Sequence, residues 1–196
     1  MYSRPNLPSF PDRRALIVAG AAGLATAVAG PAAWADAADA AKLVGHARQA
    51  INKLLAEDDD ARRLNARGRA VLVFPEITKA GFIVGAQNGE GVMFMGPNVV
   101  GFYSISGGSF GLQAGAQKYG LALFFMNRQA IDYLRQNRGF SIGAGPSVAA
   151  VNKGVAKGLS TATGIHDIYA EAFDQRGLMA SLSIQGSKIS EIKPPK

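Results

Sequence analysis

Val71-Leu72-Val73-Phe74-Pro75-Glu76-Ile77-Thr78-Lys79-Ala80-Gly81-Phe82-Ile83-Val84-Gly85 is the stretch on which the fold turns. Its first four residues are apolar β-formers and read as a short strand that Pro75 stops; residues 81–84 read as the next one. The texture continues through Gly91-Val92-Met93-Phe94-Met95 and Val99-Val100-Gly101-Phe102-Tyr103, with turns expected at Asn88-Gly89 and Gly96-Pro97-Asn98. A long pair is expected at residues 109–117 and 120–126. Residues 127–137 read as a helix, with Asn127 as N-cap and Ile131 and Leu134 on its buried side. Beyond lie residues 139–151, a Gly-Ser-Thr-rich stretch at 154–164, a strand-like run at 165–173, and a last hairpin of 178–184 with 188–192. Strands in runs with few helices imply an α+β fold: a curled, mainly antiparallel, glycine-rich and barrel-like sheet. An N-terminal amphipathic helix and one or two further helices pack with it. The 24 glycines follow no three-residue period, so collagen is excluded.

Upstream, apolar residues recur at Ala40, Leu43, Val44, Ala47, Ile51, Leu54 and Leu55, the period of a helix over residues 38–56. Lys42, His46, Gln49 and Lys53 climb one border of that stripe. Asp58-Asp59-Asp60 suits a loop or the first turn of a second short helix. Arg62, Arg63, Arg67 and Arg69 then form the densest positive cluster in the sequence. Two readings stay open. A basic ridge beside an apolar stripe is the pattern of a helix lying on a membrane, yet lysines also snorkel along the rim of any helix packed on a core. The arginines likewise suit either a solvated face paired with residues 58–60 or a site for an acidic ligand.

Residues 1–35 read as an address. Arg13-Arg14 precede an uncharged Ala- and Gly-rich run, and Ala33-Trp34-Ala35 fits an A-x-A cleavage site, so a cleavable, twin-arginine-like export signal is expected, followed by one domain over 36–196. The leader carries three of the 21 basic residues and one of the 14 acids. The remaining 18 against 13 give +5, compared with +7 for the whole chain. That balance favours anionic partners but is too modest for a nucleic-acid arm, and export removes nucleic acid as a natural partner. Hydrophobic residues at 48% against 18% charged exclude a mostly disordered chain. Cysteine is absent, which excludes disulfides, thiolate chemistry, Cys-ligated metals and an acylated N-terminal cysteine.

Catalytic signals are thin. Gly107-Gly108-Ser109-Phe110-Gly111 fits G-x-S-x-G, and Asp132 and His166 follow in the acid-then-His order of an α/β-hydrolase. That elbow needs a strand, a tight turn and a helix, whereas residues 112–125 look strand-like, so a serine hydrolase using Ser109 is a remote alternative. Gly143-Ala144-Gly145-Pro146-Ser147-Val148 starts like a dinucleotide fingerprint but lacks its last glycine. His46 and His166 have no second ligand at metal-binding spacing, and His166-Asp167 suits a surface or capping pair. No catalytic residue, cofactor or metal is expected, and the chain reads as non-enzymatic.

Four segments together resemble the SYLF domain family: the opening stretch 71–85, then Ser106-Gly107-Gly108-Ser109-Phe110-Gly111-Leu112-Gln113, Gly143-Ala144-Gly145-Pro146-Ser147, and Gly177-Leu178-Met179-Ala180 through Gln185-Gly186-Ser187-Lys188. The resemblance spans about residues 38–193. It implies a lipid-binding module, since eukaryotic relatives bind phosphoinositides through the N-terminal basic, amphipathic part and bundle actin. Bacterial relatives resemble stand-alone exported proteins often called lipoproteins, a label the missing cysteine does not fit. The positions matching the lipid-binding end are Lys42, His46, Lys53, Arg62, Arg63, Arg67 and Arg69. The expectation is therefore a periplasmic or outer-envelope protein that binds anionic lipid or a membrane surface, with no actin role. A structural or protein-interaction module of the envelope without lipid specificity is the alternative.

Overall fold

The computed structural model of the chain describes residues 31–82, 84–110, 115–151, 160–161, 166–177 and 184–195. Helices α1 (Pro31–Glu57) and α2 (Asp59–Arg67) lead into four long strands, β1 (Ala70–Phe82), β2 (Val84–Met95), β3 (Asn98–Phe110) and β4 (Gly115–Phe125). Helix α3 (Arg128–Gln136) follows, then β5 (Gly139–Ser141), β6 (Val148–Ala150), β7 (Ser160–Thr161), β8 (Ile168–Gly177) and β9 (Lys188–Ile192). One sheet orders the nine described strands β5-β9-β3-β2-β1-β4-β8-β6-β7. Every pairing is antiparallel except those of β6 with β7 and β8. The fold is α+β, as the sequence implies.

Strand residues alternate between two apolar faces. Leu72, Phe74 and Ile77 of β1, Met93 of β2, Tyr103 and Ile105 of β3, and Leu121 and Leu123 of β4 point one way. Phe140 and Ile189 near one end of the sheet, and Val148 and Ala170 near the other, join that same cluster, and Ile131 and Leu134 of α3 cap it. Strands so far apart in the order share one core only because the sheet curls around it. On the outer face Val71, Val73, Val92, Phe94, Ala122 and Phe124 are covered by Ala47, Ile51 and Leu54 of α1 and Ala61 of α2. Double burial explains why residues 71–74 are apolar without alternation.

Pro75 does not end β1, contrary to the sequence reading. The strand runs through it on a bulge, with register shifts between Val73 and Glu76 against β2 and between Phe74 and Ile77 against β4. A bulge takes a residue out of the ladder, so the missing N–H of proline costs no pairing there. Asn88-Gly89 is likewise not a turn: Asn88 pairs with Thr78 and Gly89 with Ile77 inside β2. Glycines opposite the bulge let the strands approach closely. A Cβ on Gly91 would lie 2.6 Å from Phe74 Cδ1 and 2.7 Å from the Val73 carbonyl oxygen.

The turn at Gly96-Pro97 stands where expected, with Gly96 at φ 57°. Helix α3 also begins as read, with the Asn127 side chain accepting the Ala130 N–H at 2.9 Å. Strand β9 pairs with β3 and β5, whereas the hairpin partner expected at 178–184 falls largely outside the described residues. Residues 1–30 of the expected export signal, 152–159 and 162–165 lie outside them too, while Pro31 to Ala35 form the first turns of α1.

Away from α3, the inner face turns polar. The Tyr119 hydroxyl donates to Gln87 Oε1 at 2.9 Å, and Gln87 Nε2 donates to Ser187 Oγ at 2.5 Å. Lys79 sits in the same row, 3% exposed, and burial pulls its ammonium pKa down.

Candidate functional site

Helix α1 turns its apolar stripe onto the sheet. Ala47, Ile51 and Leu54 are buried, and Leu43, Val44, Ala50 and Leu55 pack around them. That stripe is occupied by the core, so contact of this helix with another surface falls to its charges. Lys42 pairs with Asp39 at 2.8 Å, one turn away. Lys53 reaches Asp174 within β8, at 2.5 Å, and the hydrogen bond to that carboxylate raises the lysine pKa. His46 is exposed between them. Arg48, on the opposite border, lies 5.0 Å over the Phe94 ring and donates to the Pro97 carbonyl at 2.6 Å, clamping α1 onto the β2–β3 turn.

Helix α2 starts as an N-capped turn. The Asp58 carboxylate accepts from Asp60 N at 2.7 Å and Ala61 N at 2.9 Å, and the Ala61 bond leads the causes that lower its pKa. Arg62 and Arg63 pair with Asp59 and Asp60 respectively. Arg62 also donates to the carbonyls of Leu55 at 2.8 Å and Ala56 at 3.1 Å, satisfying the last turn of α1. These pairs are exposed, and exposed pairs contribute only about 0–1 kcal/mol, so a more strongly charged surface can displace them. Arg67 and Arg69 make no ion pair among the described residues. Arg67 lines a cleft of about 280 Å³ with Arg63, Leu64 and Tyr169.

Arg69 is not brought to the α1 ridge. The link from α2 to β1 carries it to the α3 end of the sheet, where its N–H donates to the Phe125 carbonyl at 2.7 Å. There Arg69, Arg128 and Arg135 surround a cleft of about 480 Å³ whose apolar lining includes Met95, Met126 and Ile131. The sequence reading missed Arg128 and Arg135. They lie about 60 residues from Arg69, and their spacing of seven on α3 is the one local sign that they share a face.

Glu171 of β8 is another site invisible to the sequence. It is 1% exposed, opposite Ala122 on the helix-covered face, and its Oε2 has no hydrogen-bond partner among the described residues. Burial, reinforced by the neighbouring Asp58 carboxylate, pushes its pKa up to about 8, so it is protonated at neutral pH.

Ser109 lies within β3, paired with Gly85, and the next described element is strand β4, whereas a nucleophile elbow leads into a helix. Asp132 faces Arg128 at 3.8 Å, and the His166 ring packs edge-on against Tyr169. Asp167 is a structural tie: it accepts Asn127 Nδ2 at 2.6 Å, and Ser147 N at 2.9 Å and Oγ at 2.7 Å. The hydrogen bonds from Ser147 and then Asn127 lower its pKa. The Gly143–Ser147 segment is thus locked to the start of α3. Among the described residues no group of three His, Asp or Glu is placed to hold a metal, and no helix is long and apolar enough to cross a membrane.

Residues 106–194, from the second half of β3 to the C-terminal tail, match the family described as "Ysc84: Las17-binding protein actin regulator". A search of curated proteins found no match. The family match includes Arg128 and Arg135 and leaves α1, α2 and Arg69 outside it.

Proposed function

Because the chain belongs to the SYLF (Ysc84) family through residues 106–194, we propose that it is a non-catalytic binding module that meets anionic lipid head groups at an envelope surface. Lys42, His46, Lys53, Arg62, Arg63 and Arg67 supply the contact on the α1–α2 side, and Arg69 adds a cation at the α3 end of the sheet. The observation that carries this reading is the placement of those cations. All seven residues are exposed, and the carboxylates facing four of them are exposed as well. Each basic side chain near an anionic surface contributes roughly 1 kcal/mol, so four or five acting together give useful, salt-sensitive binding. The sealed stripe of α1 makes this an electrostatic association instead of an insertion.

The leader in residues 1–35 supports export, with cleavage near Ala35 and residence in the periplasm or at the outer envelope. The actin role in the family description would have no partner there. Co-sedimentation with vesicles of phosphatidylcholine alone, and with added phosphatidylglycerol, at two salt concentrations tests the proposal. Binding should need the anionic lipid and fall as salt rises, since exposed charges are screened over about 8–10 Å. Equal binding to neutral vesicles, or none to either, would favour an envelope protein-interaction module.

A further inference from the structure

We propose that the cleft bounded by Arg69, Arg128 and Arg135 is a discrete head-group site for a phosphate-bearing lipid, a proposal that rests on the lipid-binding reading. The three guanidinium groups come from two separate elements. Arg128 and Arg135 stand two turns apart on one face of α3, with the buried Ile131 between them, and Arg69 is pinned to the end of β4 through its backbone.

Among the described residues none of the three has a strong partner. Arg128 Nε stands 3.8 Å from Asp132 Oδ2, with the arginine side chain 88% exposed. Arg135 makes only a 3.8 Å contact to Met95 Sδ. Three arginines against the single lining carboxylate of Asp132 give the cleft 3 minus 1, or +2. Guanidinium forks match phosphate oxygens bidentately. The Met95, Met126 and Ile131 lining, and a volume of about 480 Å³, leave room for the glycerol and first acyl carbons beside the phosphate. A phosphate on a lipid therefore fits better than a free anion, which would leave the apolar part unused. This site is separate from the α1 ridge; Arg128 and Arg135 lie inside the family-matched region and Arg69 outside it.

The test measures binding of the full chain to phosphatidylglycerol–phosphatidylcholine vesicles for wild type, Arg128→Ala/Arg135→Ala, Asp132→Asn and Lys42→Glu/Arg67→Glu, with soluble glycerol phosphate titrated in parallel. Circular dichroism and thermal unfolding check that each variant keeps the fold. Removing the two exposed arginines is expected to weaken vesicle binding about twenty-five-fold, at about fivefold per charge. Asp132→Asn is expected to strengthen it by a similar single-charge factor, a gain that damage to the fold cannot produce.

Wild-type binding that is unchanged in both cleft variants but reduced in Lys42→Glu/Arg67→Glu overturns the cleft and leaves the proposed function standing. Failure of the wild type to prefer anionic vesicles overturns both. Saturable glycerol phosphate binding that the double variant abolishes, with vesicle binding untouched, overturns the lipid assignment in favour of a soluble phosphate ligand.

Discussion

Glu171 shows how one side chain links the fold to pH. Folded, it holds its proton to about pH 8; unfolded, it would release it near 4.5. Stability from this group is therefore complete below about 4.5, declines as pH rises towards 8, and is lost above it. Asp58 works in the opposite sense, since its lowered pKa contributes stability that disappears on acidification. Glu171→Gln should flatten the fall in melting temperature between pH 5 and 9 and exceed wild type above pH 8, as read by thermal unfolding. A wild-type curve as flat as the variant's would dismiss the buried acid. At the same scale Gly91→Ala, whose methyl meets both the Phe74 ring and the Val73 carbonyl, should destabilise by about 1–3 kcal/mol in chemical denaturation. The sequence offered residues 58–60 as a loop or the first turn of a second short helix because such signals are local. It hid Glu171, because that burial is made by partners 113 residues away, at Asp58.

At the scale of elements, local signals and tertiary context divided the outcome. The period of α1, the cap of α3 and the Gly96-Pro97 turn were legible because each depends on residues within one or two turns of chain. Pro75 and Asn88-Gly89 misled for a shared reason: both are usual breakers, and here Pro75 sits in a bulge opposite Gly91 while Asn88 and Gly89 pair with Thr78 and Ile77 inside the β1–β2 ladder. The α1 stripe also had two physical readings that periodicity cannot separate, and the sheet decides in favour of packing. Leu54→Ala, which opens a cavity between α1 and the outer face, should cost about 2–4 kcal/mol in denaturant unfolding. A loss under about 0.5 kcal/mol would mean that α1 is only loosely docked. Arg62→Glu should perturb the α1–α2 junction because Arg62 holds two carbonyls there, so charge reversal is cleaner at Arg67 and Arg69.

Across the whole molecule, the α+β class was readable from strand texture and glycine content, whereas the strand order was not. Neighbours such as β3 and β9 are separated by about 80 residues, and nothing in either strand names its partner. The basic surface repeats that lesson. Arg62 to Arg69 look like one cluster in the sequence, but α2 and the link to β1 divide them between the α1 side and the α3 end. The measurement that tests the account most directly is binding of wild type and Arg67→Glu/Arg69→Glu to phosphatidylglycerol-containing vesicles at low and high salt. Expected are strong wild-type binding at low salt, loss at high salt, and a variant that stays folded but binds at least twenty-five-fold more weakly, at about fivefold or more per reversed charge. Salt-insensitive binding of equal strength by both proteins would contradict it.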